Sequence, residues 1–299
     1  MLKVERRKLP QDLQRLLDNW QVAVNTGEIN RLVRDGLSVR QHKRLDEWQA
    51  RLDEGQPVND LPWIAFKNLE KTHNTVILET LKEIFHGKCA YCETLDANHI
   101  DHYWPKSPHP AHNANKGTDE RMFVWDNLFL SCYKCNSWEC KGAYMKWDNG
   151  RPRLLNPCLD DPLCYFEINL DYEVTQPINI GKIDPRLDLS PILYNRAQYT
   201  IDRLKLNERE SLRRSRAQTL HQFQILLEGL NEFGPEREMP TGRSIRDGLL
   251  DLLQPSQPYL ASIRQFLHHN PEVKTKLLAQ IPELAEAIDQ WALPLGDCE

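Results

Sequence analysis

The apolar positions of the first part of the chain recur at helical spacing. From Gln11 to about Asn25, Leu13, Leu16, Leu17, Trp20 and Val24 fall three or four residues apart, and Ile29 to Leu52 carries a more polar version of the same pattern. Both stretches read as surface helices. After the turn-forming run Gly55 to Asp60, residues Trp63 to Phe85 place Ile64, Leu69, Ile77, Leu78, Leu81, Ile84 and Phe85 on one helical face, with Gly87 as the stop. Lys88 to Asp148 is aromatic, Cys- and His-rich and short-segmented, with a polar loop from Ser107 to Arg121. Three prolines mark an irregular connection from Arg151 to Pro162, and the patches Phe166-Glu167-Ile168 and Ile178-Asn179-Ile180 predict a small hairpin. Beyond Tyr194 the period is helical again: 199–204, then Asn207 to Phe233, then two or three shorter helices ending near Trp291. In the long helix Leu212, Leu220, Phe223, Leu226 and Leu227 form the apolar side, and Arg209, Arg213, Arg214 and Arg216 read as a solvated face.

These elements predict an α+β, mainly helical chain in three regions: helical 1–86, a compact module 87–150, and 151–299 with a connecting loop, a hairpin and C-terminal helices. Hydrophobic residues make up 40% and charged residues 27%, the proportions of an ordinary folded protein, which excludes wholesale disorder. Lys plus Arg total 38 against 43 for Asp plus Glu, a net charge of -5, so any nucleic-acid contact has to be local. No apolar run approaches the roughly 20 residues that cross a bilayer. The charged start, Met1 to Lys8, is not followed by a hydrophobic signal core, so a cytoplasmic location is expected.

Five of the eight cysteines crowd the central module. Cys89-Ala90-Tyr91-Cys92 and Cys132-Tyr133-Lys134-Cys135 are two C-x-x-C units, each able to present two thiolates to one tetrahedral ion. Together they predict a closed, structural zinc site. Structural zinc binding of roughly 10–16 kcal/mol would hold a module this poor in apolar residues. His86, Cys140, Cys158 and Cys164 are alternative ligands, His86 reads better as a solvated helix-end residue, and Cys298 as a bystander.

Between the two cysteine pairs lie His99-Ile100-Asp101-His102-Tyr103-Trp104-Pro105-Lys106 and Trp125-Asp126-Asn127-Leu128, and the second pair runs on as Asn136-Ser137. In this order they resemble the HNH nuclease motif, the ββα-metal arrangement, here as His102, Asn127 and Asn136. Phosphodiester hydrolysis asks for the same residue types. Mg²⁺ or Mn²⁺ prefers oxygen ligands, which Asp101 and the Asn136 amide offer. His102 would take the proton of the attacking water, and Asn127 would hold the surrounding backbone. Adjacent strand residues point to opposite faces, so Asp101 and His102 share one metal site only if the backbone bends there. By alternation His99 shares a face with Asp101 and is a second-tier candidate. Lys106 and Lys141, with Lys134 and Lys146, are candidate phosphate contacts. Tyr103, Trp104, Trp125 and Trp138 can stack on bases but fit better as a miniature core, and His109 and His112 read as surface residues.

The wording from Ile100 to Ser107 and from Trp125 through Asn136 is similar to one HNH family, the PtuB nuclease subunits of Septu-type and retron-associated anti-phage systems. The similarity extends to Leu155-Asn156-Pro157, Asp161-Pro162 and Ala197-x-x-Thr200-Ile201-x-x-Leu204-x-Leu206-Asn207. This resemblance implies a metal-dependent nuclease, acting on DNA, with a PtuA-like ATPase partner of the ABC/SMC type. The chain carries no G-x-x-x-x-G-K-[ST] phosphate loop, so nucleotide dependence would come from that partner. Trp104 and Cys140 depart from the family's wording. Three alternatives stay open: a nuclease acting on RNA, a catalytically silent zinc module that binds nucleic acid or a partner, and a purely structural zinc adaptor.

Overall fold

A computed structural model describes residues 6–26, 61–106, 121–141, 146–148, 151–169 and 181–291, with isolated positions between 39 and 54. Most of the polar pattern at 29–52, the loop holding His109 and His112, and the Ile178–Ile180 patch lie outside the described residues. The described residues are mainly helical, with three two-stranded antiparallel sheets. None of their helices is long and apolar enough to cross a membrane.

Two compact units divide the chain. One comprises described residues of Arg6–Ile84 and Ala97–Arg153, the other Phe85–Asp96 and the described residues from Leu154 onward. The N-terminal helices therefore share a unit with most of the module expected at 87–150, where the sequence pattern suggested a separate region.

In the first unit, α1 (Gln11–Thr26) buries the predicted stripe, Leu13, Leu17, Trp20 and Val24. It is a core helix on that face and solvated on the other. The helix expected from Trp63 to Phe85 is broken into α2 (Leu61–Leu69) and α3 (Lys71–Ile84). Residues 70–75 are polar, so nothing apolar pins that turn to the core. Trp20, Trp63, Phe66 and Phe123 pack ring on ring with centroids 5.2–5.5 Å apart. Beyond α3, His86 and Gly87 take positive φ values of 52° and 71°, ending the helix where the glycine was expected to.

Strands β1 (Ala97–His102) and β2 (Leu128–Cys132) pair antiparallel, with Asp101 opposite Phe129 and His102 opposite Leu128, and a bulge lies between Ala97 and His99. All five residues of β2 are buried, so both its faces are covered. A 3₁₀ turn, Trp125–Asn127, leads into β2, and the short helix α4 (Tyr133–Asn136) leaves it and packs on both strands. A second hairpin, β3 (Trp147–Asp148) with β4 (Arg151–Pro152), completes this unit.

In the other unit α5 (Pro162–Tyr165) precedes β5 (Phe166–Ile168), which pairs with β6 (Ile183–Pro185). The helices are α6 (Pro191–Arg203), α7 (Glu210–Phe233), α8 (Ile245–Leu252), α9 (Leu260–His269), α10 (Pro271–Gln280) and α11 (Leu284–Trp291). Their core unites Leu220, Phe223, Leu227 and Leu230 of α7 with Leu249, Ile263, Leu277 and Leu284.

The arginine face is solvated only in part: Arg214 is exposed, and Arg209 and Arg213 are half-buried. Arg216 is buried and donates to the carbonyls of Gly181 and Leu206, both at 3.1 Å. Gly181 sits at φ 71°, and a Cβ there would come within 2.2 Å of the Arg213 carbonyl oxygen, so only glycine fits. The flanking motif residues are structural as well. Thr200 Oγ1 accepts from Leu155 N at 2.9 Å, and Asn207 exchanges two hydrogen bonds with the Ile183 backbone. Asp161 caps α5 and meets Arg264 in a buried two-pronged ion pair at 2.7 and 2.9 Å. Asp161→Ala strands the Arg264 guanidinium in the core and is expected to cost about 3–5 kcal/mol, read as a lower urea midpoint; replacing both partners together, Asp161→Ala with Arg264→Met, removes both buried charges and is expected to cost less than Asp161→Ala alone.

Candidate functional site

The site grows from the end of β1. Asp101 and His102 are its last two residues and both are buried. Each has its own partners, as strand alternation dictates. Asp101 Oδ1 accepts from Lys141 Nζ at 3.0 Å, and the same ammonium donates to the His102 carbonyl. The His102 ring lies edge-on to Trp63, centroids 4.4 Å apart, with Nε2 2.9 Å from the Met122 carbonyl oxygen.

Burial holds the His102 pKa well below the ordinary histidine range, the charges of Lys106 and Lys141 push it further down, and the Met122 hydrogen bond opposes them. The ring is therefore neutral. Since a carbonyl only accepts, Nε2 carries the proton and Nδ1 is the basic nitrogen.

Asn127 ties this corner together. Its Oδ1 accepts from Trp104 N at 2.6 Å, and its Nδ2 donates to the carbonyls of Trp104 (3.1 Å) and Arg121 (2.9 Å). Its own carbonyl accepts from Tyr103 N at 2.8 Å. One buried amide thus clamps the chain leaving β1 against the segment entering β2, and the clamped segment includes Met122, which holds His102. Gln21 of α1 reinforces it, its Oε1 accepting from Phe123 N at 2.7 Å.

The other candidates fall around this corner. Asn136 ends α4 and is half-buried. Lys106 is half-buried, whereas Lys141 is only 2% exposed and committed to Asp101 and the His102 carbonyl, which makes it an internal counter-ion in place of the surface phosphate contact expected from sequence. Tyr103 and Trp125 belong to the core, Trp104 is half-buried, and Trp138 is 82% exposed, against the expectation of a core residue. His99 is exposed, with its ring 6.1 Å from that of Tyr133. Sequence reasoning passed over Met122 and Trp63, since a backbone carbonyl and an apolar ring leave no chemical signature in a motif.

Cys89, Cys92, Cys132 and Cys135 are all buried, with their sulfurs within 4.8 Å of one another. Four thiolates on a tetrahedral ion at Zn–S of about 2.3 Å need sulfurs about 3.8 Å apart, so the donor set fits a metal such as zinc. Cys135 N donates to Cys132 Sγ at 3.4 Å, the turn that aims both sulfurs the same way. Among the described residues this is the one group of three or more Cys, His, Asp or Glu whose donor atoms converge. Cys140 is buried outside it, Cys158 is half-exposed, and Cys164 is disulfide-bonded.

Two measurements check this geometry. Purified protein is expected to carry about one zinc ion per chain by metal analysis, and Cys132→Ser to lose it. For His102, the unfolded ring takes up a proton near pH 6.5 and the folded ring does so only at lower pH, so the unfolded state binds more protons as pH falls through that value. This contribution to stability is full above about pH 6.5 and is lost below it. His102→Gln is expected to lose less stability than wild type between about pH 7.5 and about pH 5.5 in urea unfolding.

No family model matches the chain. The chain is similar to the Septu protein PtuB of Bacillus mycoides (strain KBAB4), 25% identical over 269 residues, covering 74% of this chain and 90% of that protein.

Proposed function

We propose that this chain is a nuclease of anti-phage defence, a PtuB-like HNH endonuclease hydrolysing phosphodiester bonds of DNA and working in the cytoplasm with a PtuA-like ATPase of the ABC/SMC type. The observation that carries the reading is the neutral His102 at the end of β1, its Nε2 tied to Met122 and its Nδ1 left as the base, in an antiparallel pair of strands followed by a short helix. The similarity to a Septu PtuB protein supports the biological setting.

In this reading His102 Nδ1 takes the proton of the attacking water while the Met122 carbonyl holds the ring and stabilises the charge it gains. Asn127 does no chemistry and keeps the two backbone segments in register. Asp101 and Asn136 are the oxygen donors that would hold a divalent ion such as Mg²⁺ or Mn²⁺, which when bound supplies charge neutralisation at the scissile phosphate. The donor types suit such an ion, and Lys141 competes for the same carboxylate. Zinc at the four cysteines would be structural.

That Asp101–Lys141 pair also favours the second reading, a catalytically silent module that keeps the zinc fold and binds nucleic acid or a partner.

The test is cleavage of plasmid DNA and, in parallel, RNA by zinc-loaded protein with Mg²⁺ or Mn²⁺, alone and with the ATPase partner. Metal-dependent cutting that falls about 10²–10⁴-fold in a folded His102→Ala protein is expected. No cutting under any of these conditions selects the silent module.

A further inference from the structure

Of the four aromatic residues that the sequence offers for stacking on bases, the fold leaves one with an open face. Tyr103 and Trp125 belong to the core. Trp104 is half-buried and already occupied: the Arg121 guanidinium carbon lies 3.9 Å from the centroid of one of its rings, and Trp147 meets it edge-on with centroids 4.9 Å apart. Trp138 is 82% exposed, and its side chain has no hydrogen-bonding or aromatic partner among the described residues.

A hydrogen-bonded turn fixes Trp138 next to the proposed site. Ser137 donates to the Lys134 carbonyl through both its N–H (3.2 Å) and its Oγ (2.8 Å), Cys140 N donates to the Ser137 carbonyl at 3.1 Å, and Lys141 N to the Cys135 carbonyl at 3.2 Å. Trp138 comes two positions after Asn136, the proposed metal donor, and three before Lys141. The Lys141 ammonium in turn holds Asp101 and the His102 carbonyl. Whatever rests on the indole therefore lies beside the end of β1.

The neighbours of Trp138 are polar. Lys134 is exposed and makes no ion pair among the described residues, Asn136 and Ser137 are half-buried, and Glu139 is exposed. A single indole ringed by such groups does not match the desolvated apolar centre of a protein interface. The face of a base fits it, because the π surface covers the indole while the hydrogen-bonding edges stay against polar groups and water. Glu139 repels a phosphate from the indole, and Lys134 attracts one. Inside a duplex both faces of a base are covered by its neighbours, so the base that reaches Trp138 is an unstacked one.

We infer that α4 and the turn after it bind an unpaired stretch of nucleic acid, with Trp138 stacked on a base and Lys134 on a backbone phosphate. The inference rests on the nuclease reading for the identity of the neighbouring site and deepens it by naming the substrate class; its binding step is measurable without cleavage. DNA and RNA offer the same stacking and phosphate chemistry, and every base has a π face, so this surface sets affinity and strandedness, not sequence preference.

The experiment uses the full zinc-loaded chain, alone and with its ATPase partner. Binding of labelled single-stranded DNA, single-stranded RNA and blunt duplex DNA is followed by anisotropy across a salt series in the His102→Ala background, and cleavage of the same oligonucleotides gives kcat and KM without that substitution. Trp138→Ala is expected to weaken single-strand binding and raise KM about tenfold, to leave the slope of log affinity against log salt unchanged, and to alter duplex binding little. Trp138→Phe is expected to keep most of the affinity, since it keeps a ring. Lys134→Ala is expected to lower the single-strand salt slope by about 0.7. The exposure of both side chains lets the variants fold, which an unchanged urea midpoint checks. Wild-type single-strand affinity in Trp138→Ala overturns the inference and leaves the nuclease reading intact, and so does an equal loss on duplex and single strands. Loss of the ATPase partner with unchanged single-strand affinity also overturns it and assigns Trp138 to a protein interface. Trp138-dependent binding without cutting under any condition removes the nuclease reading and upholds the stacking surface. Neither binding nor cutting overturns both.

Discussion

One buried amide organises the region where the chemistry is proposed. Asn127 meets three backbone groups with its side chain and a fourth with its own carbonyl, so the segment leaving β1 and the segment entering β2 cannot move independently. A buried amide left unpaired costs about 1–3 kcal/mol per group, and each of these bonds therefore enforces the others. The positions of Met122, His102, Trp104 and Arg121 all follow from that clamp.

The surrounding packing makes the clamp effective. Trp20, Trp63, Phe66 and Phe123 form an aromatic layer against which the His102 ring is set edge-on, and Gln21 connects α1 to the same loop. Desolvation keeps the ring neutral, and the nearby lysines act in the same direction. A histidine in this setting differs from a solvated one by its fixed tautomer and not only by its pKa: the acceptor at Nε2 is a carbonyl, so the lone pair is directed to Nδ1.

Burial also changes the meaning of charges. Lys141 and Arg216 look, by sequence, like members of a basic surface. In the structure the first neutralises Asp101 and the second caps the carbonyls of Gly181 and Leu206. Trp138 goes the other way, from an expected core residue to an exposed one. Periodicity does not separate such cases, because a charged side chain buries readily once a specific acceptor waits inside the fold.

Spacing along the chain determined what is local. The two C-x-x-C pairs, the helical stripe of Leu13, Leu17, Trp20 and Val24, the stop at Gly87 and the Asp101-His102 end of a strand were legible because metal knuckles, helix faces and turns depend on residues a few positions apart. What depends on residues far apart came only with the tertiary structure. The break at Glu70, the grouping of α1 to α3 with the paired strands, the commitment of Lys141 to Asp101 and the seating of Arg121 on Trp104 are of this kind. Asn127 stands between the two: its place in the motif was visible in the sequence, and its partners were not, because an asparagine announces a hydrogen-bonding group without saying which backbone the fold will bring to it.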